Sequence, residues 1–140
     1  MQAGLHIGYG GLCVDNDGTC VASTTGRISA VSYTTGSTDL AENYFSSTTL
    51  HAGDIVMIAS SSSPAYVALG ERAYANRILG IVSTKPGIIL GLENDMPIPN
   101  QYPIALSGRV PVNVNLEHGI IKRGDRITLS STPGVGAKAT

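Results

Sequence analysis

Short apolar runs, separated by clusters of glycine, proline and serine, recur throughout residues 39–140. The runs are DIVMIA, YVALG, RILGIVST, GIILGL, YPIALSGRVPVNV and DRITLSS. Apolar runs of this length that end in turn residues are typical of short β-strands. The pattern therefore predicts an all-β fold, a compact barrel or clip of short antiparallel strands.

The N-terminal part of the chain has a weaker apolar pattern. Leu5, Ile7 and Tyr9 alternate with small or polar residues, as expected for strands with one narrow apolar face. Such strands carry too little apolar mass to form a core alone. We therefore predict an N-terminal β arm at 1–38 and a β-rich head domain at 39–140. The arm, a β-hairpin with extended strands, is expected to pack on neighbouring subunits.

Both cysteines lie in this arm, in the string LCVDNDGTCV. A four-residue turn at 15–18 sets Cys13 opposite Cys20 across a hairpin, where a disulfide can form. We expect that disulfide, and the alternative is two free thiols in a reducing compartment. The DNDG string also resembles the start of a calcium loop, but no acidic residue follows at the EF-hand spacing. A turn is the preferred interpretation.

Composition and charge exclude several classes of partner. The formal net charge is -1, and the 9 basic residues are scattered along the 140-residue chain, so no nucleic-acid partner is expected.

No apolar run approaches the length of about 18 residues that a membrane span needs. The N-terminus lacks the basic and then apolar signature of a secretion signal, so any export signal would be of another kind or lie outside this chain.

The sequence predicts neither a metal site nor a cofactor. His6, His51 and His118 are far apart, and none has a cysteine or acidic partner at ligand spacing. There is no nucleophile elbow with a Ser-His-Asp set and no phosphate loop, and the strings GYGG and PGVG are interpreted as turns. We expect no reaction with an external substrate.

Two segments share a Gly-Asp pair in front of an alternating apolar strand. They are LHAGDIVMI, with Gly53 and Asp54, and IKRGDRITL, with Gly124 and Asp125. This pattern predicts a turn in which the glycine takes a positive φ and the carboxylate accepts backbone N–H groups. The two pairs should therefore mark equivalent strand starts with a structural role.

One further strand is predicted near the middle of the head. Val110, Val112 and Val114 alternate along SGRVPVNVN and share one face, whereas Pro111 lies on the other. Because proline cannot donate to a strand ladder, we expect this strand at an edge or a bulge.

The string GSTDLAENYF contains two carboxylates three residues apart, Asp39 and Glu42. In one interpretation Asp39 caps a short helical turn and Glu42 completes a capping box. In the other, the two carboxylates divide the acid and base roles in cleaving a backbone amide, with burial at a subunit interface raising one pKa. The residues alone leave both interpretations open.

Five strings in order, within about residues 37–138, resemble the self-cleaving intramolecular chaperone domain at the C-terminal end of phage tail appendages and bacterial surface fibre proteins. The strings are DLAE with an aromatic pair, a Gly-Asp strand start, ILGIVSTKPG, PIALSGRVPVNV and GDRITLSSTPGVGAKAT. The resemblance implies a β-rich domain that trimerises behind a fibrous stem. In some members it also cuts the bond before the aspartate of an Asp-x-x-Glu motif. Here that bond is Thr38-Asp39, and the acidic pair is Asp39 and Glu42.

Two classes of function follow. The first is a self-associating structural module of an extracellular fibre, stalk or phage-type appendage, assembled as a homo-oligomer through its N-terminal strands. The second is an autoproteolytic intramolecular chaperone domain that cuts the Thr38-Asp39 bond once, in a single turnover. The expected partners are copies of the same chain, in a trimer or fibre, and the expected location is extracellular, at the cell surface or on a virion.

Overall fold

The computed structural model describes residues 35–60, 66–91 and 100–140, and Thr35–Thr140 forms one compact unit. The described residues contain eight strands and one 3-10 helix. These are β1 Asp39–Ser46, β2 Ile55–Ile58, β3 Tyr66–Leu69, the 3-10 helix Arg72–Arg77, β4 Ile78–Val82, β5 Ile88–Leu90, β6 Gln101–Gly108, β7 Ile127–Leu129 and β8 Gly136–Lys138. The predicted arm lies almost wholly outside these residues, as does the Cys13–Cys20 disulfide, and both stay predictions.

Five of the strands close into a barrel, which confirms the predicted all-β class. The order is β3-β2-β4-β6-β1, and β1 completes the circle by pairing with β3. Along the edge that faces away from β6, β1 pairs with two strands. Leu40 pairs with Ile88 of β5, and Phe45 pairs with Tyr66 of β3. These two pairings are parallel, whereas the other pairings of the barrel are antiparallel. Strand β1 is therefore the element on which closure depends.

The core consists of side chains from four barrel strands and one preceding loop. It is formed by Leu50, Val56, Val67, Val82 and Ile104, with Tyr44, Leu69, Leu79 and Tyr102 packed against them. Val56 and Ile104 have no exposed surface. Full burial of one such side chain stabilises the folded state by about 1.5–3 kcal/mol. The apolar runs recognised in the sequence thus supply the barrel core.

Strands β7 and β8 form a separate two-stranded antiparallel sheet, and β7 lies beside the 3-10 helix. Leu129 and Ala137 of this sheet are fully buried. The loop between the two strands is tied to the barrel because Ile55 N–H donates to the carbonyl oxygen of Gly134 at 2.8 Å. A Cβ on Gly136 would lie 2.6 Å from Cγ2 of Ile127 and 3.2 Å from Cδ1 of Ile55, so a side chain there would displace Ile127.

The two Gly-Asp pairs adopt the predicted turn. Gly53 has a φ of 86° and Gly124 a φ of 93°. In each turn one carboxylate oxygen of the aspartate accepts the backbone N–H of the residue three positions earlier, at 2.8 Å for Asp54 and 2.7 Å for Asp125. The turns directly precede β2 and β7, so the prediction of equivalent strand starts is confirmed.

Asp54→Ala is expected to destabilise the fold more than Asp125→Ala. Asp54 is buried and also accepts a hydrogen bond from Asn113 Nδ2 at 3.0 Å. Its removal breaks both hydrogen bonds and leaves the His51 N–H without its acceptor, which costs about 1–3 kcal/mol. Asp125 is only half-buried, and its partners are the Lys122 N–H and Lys138 Nζ, the latter at 3.0 Å. Because these contacts lie near the surface, water replaces them at lower cost. Urea unfolding of both variants measures the difference, and equal loss in the two would contradict the assignment.

The prediction of a strand through Val114 is wrong. Strand β6 ends at Gly108, whose φ of 115° turns the chain away from the sheet. Beyond it, Asn113 N–H donates to the carbonyl oxygen of Gly53, and Val114 forms only an isolated bridge to Gly136. The alternating valines therefore lie in an extended segment that is not a strand of the barrel. This segment hydrogen-bonds to the Gly53 turn and to β8.

Candidate functional site

Asp39, the first residue of β1, is a buried carboxylate with a short hydrogen bond. The Ser83 hydroxyl donates to Asp39 Oδ2 at 2.6 Å, and each residue is only 6% exposed. A carboxylate removed from water is costly unless it accepts hydrogen bonds, and bonds to a charged acceptor are the strong ones. Ser83 follows β4 directly, so the barrel delivers the hydroxyl to the start of β1.

Backbone hydrogen bonds hold both sides of the Thr38-Asp39 peptide bond. The Thr38 carbonyl oxygen accepts the N–H of Arg109 at 3.2 Å, and the Thr38 hydroxyl donates to the Arg109 carbonyl oxygen at 3.0 Å. On the other side, Gly87 N–H donates to the Asp39 carbonyl oxygen at 2.9 Å. The peptide bond is thus fixed between the end of β6 and the turn before β5.

Two glycines allow this close approach. A Cβ on Gly108 would lie 2.6 Å from Asp39 Cα and would collide with the Thr38 carbonyl oxygen. A Cβ on Gly87 would lie 2.9 Å from the carbonyl oxygen of Ser37. Both distances are shorter than carbon atoms tolerate, so any side chain at either position would displace the backbone around the bond.

Glu42 has a separate hydrogen-bond partner. The Tyr44 hydroxyl donates to Glu42 Oε2 at 2.9 Å. Burial, followed by the hydrogen bond and the negative charge of Glu42, raises the pKa of the Tyr44 phenol, which keeps it a donor. Successive strand side chains point to opposite faces, so residues three apart in β1 lie on opposite faces. The structure therefore does not bring the Asp39 and Glu42 carboxylates together within one chain.

The helical turn of the capping interpretation is not formed at Asp39, because these residues belong to β1. A capping box is a local signal, worth about 1 kcal/mol. In this chain it competes with pairing along the whole of β6, from Asp39 with Gly108 to Phe45 with Gln101. Tertiary pairing therefore overrides the capping pattern, and the sequence pattern had no means of indicating Ser83 as the partner of Asp39.

A second polar cluster joins the 3-10 helix to the segment before β7. Arg72 Nη1 donates to Glu117 Oε1 at 3.0 Å, and the Ser131 hydroxyl donates to Glu117 Oε2 at 2.9 Å. The Ser131 backbone N–H and then its hydroxyl hold the pKa of the Glu117 carboxyl below its usual range. His118 Nδ1 lies 2.9 Å from the Lys138 carbonyl oxygen. Because Ser131 contacts the carboxylate and not the imidazole, the cluster links segments without forming a nucleophile-base pair.

The histidines do not assemble a metal site in the described part of the chain. His51 Nδ1 lies 3.7 Å from Asp54, and within residues 35–60, 66–91 and 100–140 no three histidine, cysteine or acidic side chains lie close enough to hold an ion. His6 lies outside those residues. In the same ranges no helix has the length and apolar character needed to cross a membrane.

Strand β5 is an apolar edge beside this site. Among the described residues it pairs with β1 alone. Its three side chains, Ile88, Ile89 and Leu90, are 48%, 36% and 47% exposed, and the neighbouring Leu40 of β1 is 36% exposed. Large apolar side chains and an open backbone edge therefore coincide on one strand.

An apolar groove of about 410 Å³ lies on the β4 and β6 side of the barrel. It is lined by Ile78, Leu106 and Ile127, each at least 40% exposed, and it reaches Gly108. Because Gly108 packs against the backbone of Thr38 and Asp39, the groove extends to a residue beside this peptide bond.

Comparison with known proteins gives no match. No protein-family model matches the chain, and no curated protein or solved structure is significantly similar to it. The functional interpretation therefore rests on the geometry described above, and the resemblance to self-cleaving chaperone domains stays a prediction.

Proposed function

We propose that this domain is a self-associating structural module of an extracellular fibre, stalk or phage-type appendage. The observation that carries the proposal is the apolar edge strand β5. Edge strands in monomeric proteins commonly carry charges, prolines or bulges that prevent pairing with another chain. Ile88, Ile89 and Leu90 carry none of these.

The exposed surface around β5 supports the same function. Leu40 pairs in register with Ile88, so two exposed side chains of adjacent strands lie side by side. Contiguous apolar patches on soluble proteins commonly mark contacts with another protein. Since β5 has no charge to repel an identical strand, a second copy of this chain is the partner we propose.

Ile88→Lys with Leu90→Lys is expected to dissociate the wild-type oligomer, because two charges at the edge would be buried unpaired in the interface. Light scattering after size-exclusion chromatography measures the mass. Ile120→Lys is the matched control, since Ile120 is 71% exposed and lies outside β5. A monomeric wild type, or a double variant with unchanged mass, would refute the role of β5. A chain reduced to 35–140 measures separately what the predicted N-terminal arm contributes.

A second candidate function is self-cleavage at Thr38-Asp39, and it is compatible with the first. The observation in its favour is that a buried carboxylate adjoins a peptide bond whose carbonyl oxygen accepts a backbone N–H from Arg109. Such a donor stabilises the negative charge that develops on the oxygen during attack. Asp39 is then the group that transfers the proton. In the balanced reaction, the bond between the Thr38 carbonyl carbon and the Asp39 nitrogen breaks, and one water molecule supplies the hydroxyl that the carbon gains and the proton that the nitrogen gains.

Intact mass under denaturing conditions tests this second function. Self-cleavage yields two species, one ending at Thr38 and one beginning at Asp39, whose masses together equal that of the chain plus one water. The fraction cleaved should increase with time and should not depend on protein concentration or on protease inhibitors. A chain that stays whole after prolonged incubation would rule the reaction out.

A further inference from the structure

We propose that Ser83 is the positioning residue for the Asp39 carboxylate, an inference that rests on the self-cleavage proposed above. Its hydroxyl donates to Asp39 Oδ2 at 2.6 Å. Within the described residues, Oδ1 has no hydrogen-bond donor. Ser83 thus fixes the carboxylate through one of its two oxygens, next to the peptide bond that is proposed to be cut.

Backbone hydrogen bonds hold Ser83 and the preceding Val82 in place. Its backbone N–H donates to the carbonyl oxygen of Pro103 in β6 at 2.8 Å. The preceding residue, Val82, donates to the Asp54 carbonyl oxygen at 2.9 Å, and its own carbonyl oxygen accepts the N–H of Gly53 at 2.9 Å. The hydroxyl therefore projects from rigid backbone, as a residue that orients a reacting group must.

Three separate parts of the chain meet at the Thr38-Asp39 bond. Asp39 begins β1, Ser83 follows β4, and the Arg109 N–H that binds the Thr38 carbonyl oxygen follows β6. A hydrogen bond that served stability alone would hold β1 against β4, and its position relative to the Thr38 carbonyl would not matter. Here the same residue orients the carboxylate next to a carbonyl that is already held by a donor.

The rate of fragment formation in Ser83 variants tests the inference. Ser83→Ala removes the donor and is expected to slow cleavage about 10- to 100-fold, the usual effect of a misplaced reacting group. Ser83→Thr keeps a hydroxyl and is expected to recover the rate to within about threefold of wild type. Ser83→Cys has a similar volume but is a weak donor, so it should slow cleavage about as much as alanine.

Ser130→Ala is the matched control, because Ser130 is also buried but its hydroxyl donates to Thr132 in a turn between β7 and β8. Its rate should equal that of wild type even if its unfolding temperature falls as much as that of Ser83→Ala. If Ser83→Ala does not fold, the folded Ser83→Cys chain decides. Cleavage at the wild-type rate without a good donor at position 83 would overturn the positioning role and leave self-cleavage intact. A wild-type chain that never cleaves would overturn both.

Discussion

Asp39→Asn is expected to keep the chain whole under conditions in which the wild-type chain is cut at Thr38-Asp39. The amide has the shape of the carboxylate, and its oxygen can still accept the Ser83 hydroxyl, so the start of β1 should keep its structure. It cannot take up and release a proton at neutral pH, however. Loss of a proton-transfer group slows a reaction by a factor of about 100 or more. A time course of denaturing mass spectra, with N-terminal sequencing of any fragment, measures the rate.

Glu42→Gln tests whether cleavage uses both carboxylates, as the family resemblance implies, or Asp39 alone. The glutamine oxygen can still accept the Tyr44 hydroxyl, so little stability should be lost. If Glu42 takes part, this variant should be as slow as Asp39→Asn, and the second carboxylate must approach by a rearrangement or from a neighbouring copy. Glu71→Gln, an exposed acidic residue in another loop, is the control. Wild-type rates in both Asp39→Asn and Glu42→Gln would exclude an acidic mechanism.

Gly80→Ala is expected to lower the free energy of unfolding by about 3 kcal/mol or more, at the upper end of the usual cost of overpacking a core. A Cβ at Gly80 would collide with the Ala105 carbonyl oxygen and lie 2.8 Å from Ile104 Cγ2. The first obstacle is the backbone of β6, which cannot move aside as a flexible side chain can. Strands β4 and β6 would have to separate at the centre of the barrel.

Gly36→Ala is the matched control for this change. Gly36 has no atom within 4 Å of the added Cβ, and its φ is not in the left-handed region, so alanine should be neutral or slightly stabilising. Urea unfolding followed by circular dichroism compares the two variants with wild type. Equal midpoints for Gly80→Ala and Gly36→Ala would mean that the barrel tolerates expansion between β4 and β6.

The features that the sequence predicted correctly are local ones. Short apolar runs identified the strands, and the Gly-Asp turns before β2 and β7 were correct because glycine geometry and the carboxylate hydrogen bond involve residues only three apart. Barrel closure was not specified in detail, since the parallel pairing of β1 with β3 joins Phe45 to Tyr66 without a local signature. The capping interpretation of Asp39 was wrong because the pairing of β1 with β6, which overrides it, also has no local signature.

The candidate site was predictable only in part. The pattern drew attention to Asp39 and Glu42, because two carboxylates three apart behind a Gly-Ser-Thr string stand out in a chain with 14% charged residues. The Thr38-Asp39 bond was implied by the family resemblance alone. The pattern did not indicate Ser83 or Gly108, which lie far from Asp39 in sequence and reach it through β4 and β6. It also treated Asp39 and Glu42 as neighbours, which holds on a helix but not on the strand they form.

The pairing of β1 with β6 sets the order of events during folding. Asp39 pairs with Gly108 and Phe45 with Gln101, so β1 cannot find its main partner until the chain has been synthesised past residue 108. Pairings between segments so distant in sequence form slowly compared with local hairpins. In the proposed self-cleavage, Ser83 orients Asp39 and the Arg109 N–H donates to the Thr38 carbonyl oxygen, and both contacts need β1 in place. In the proposed reaction, the cut at Thr38-Asp39 would therefore be delayed until the barrel has closed and the domain has folded.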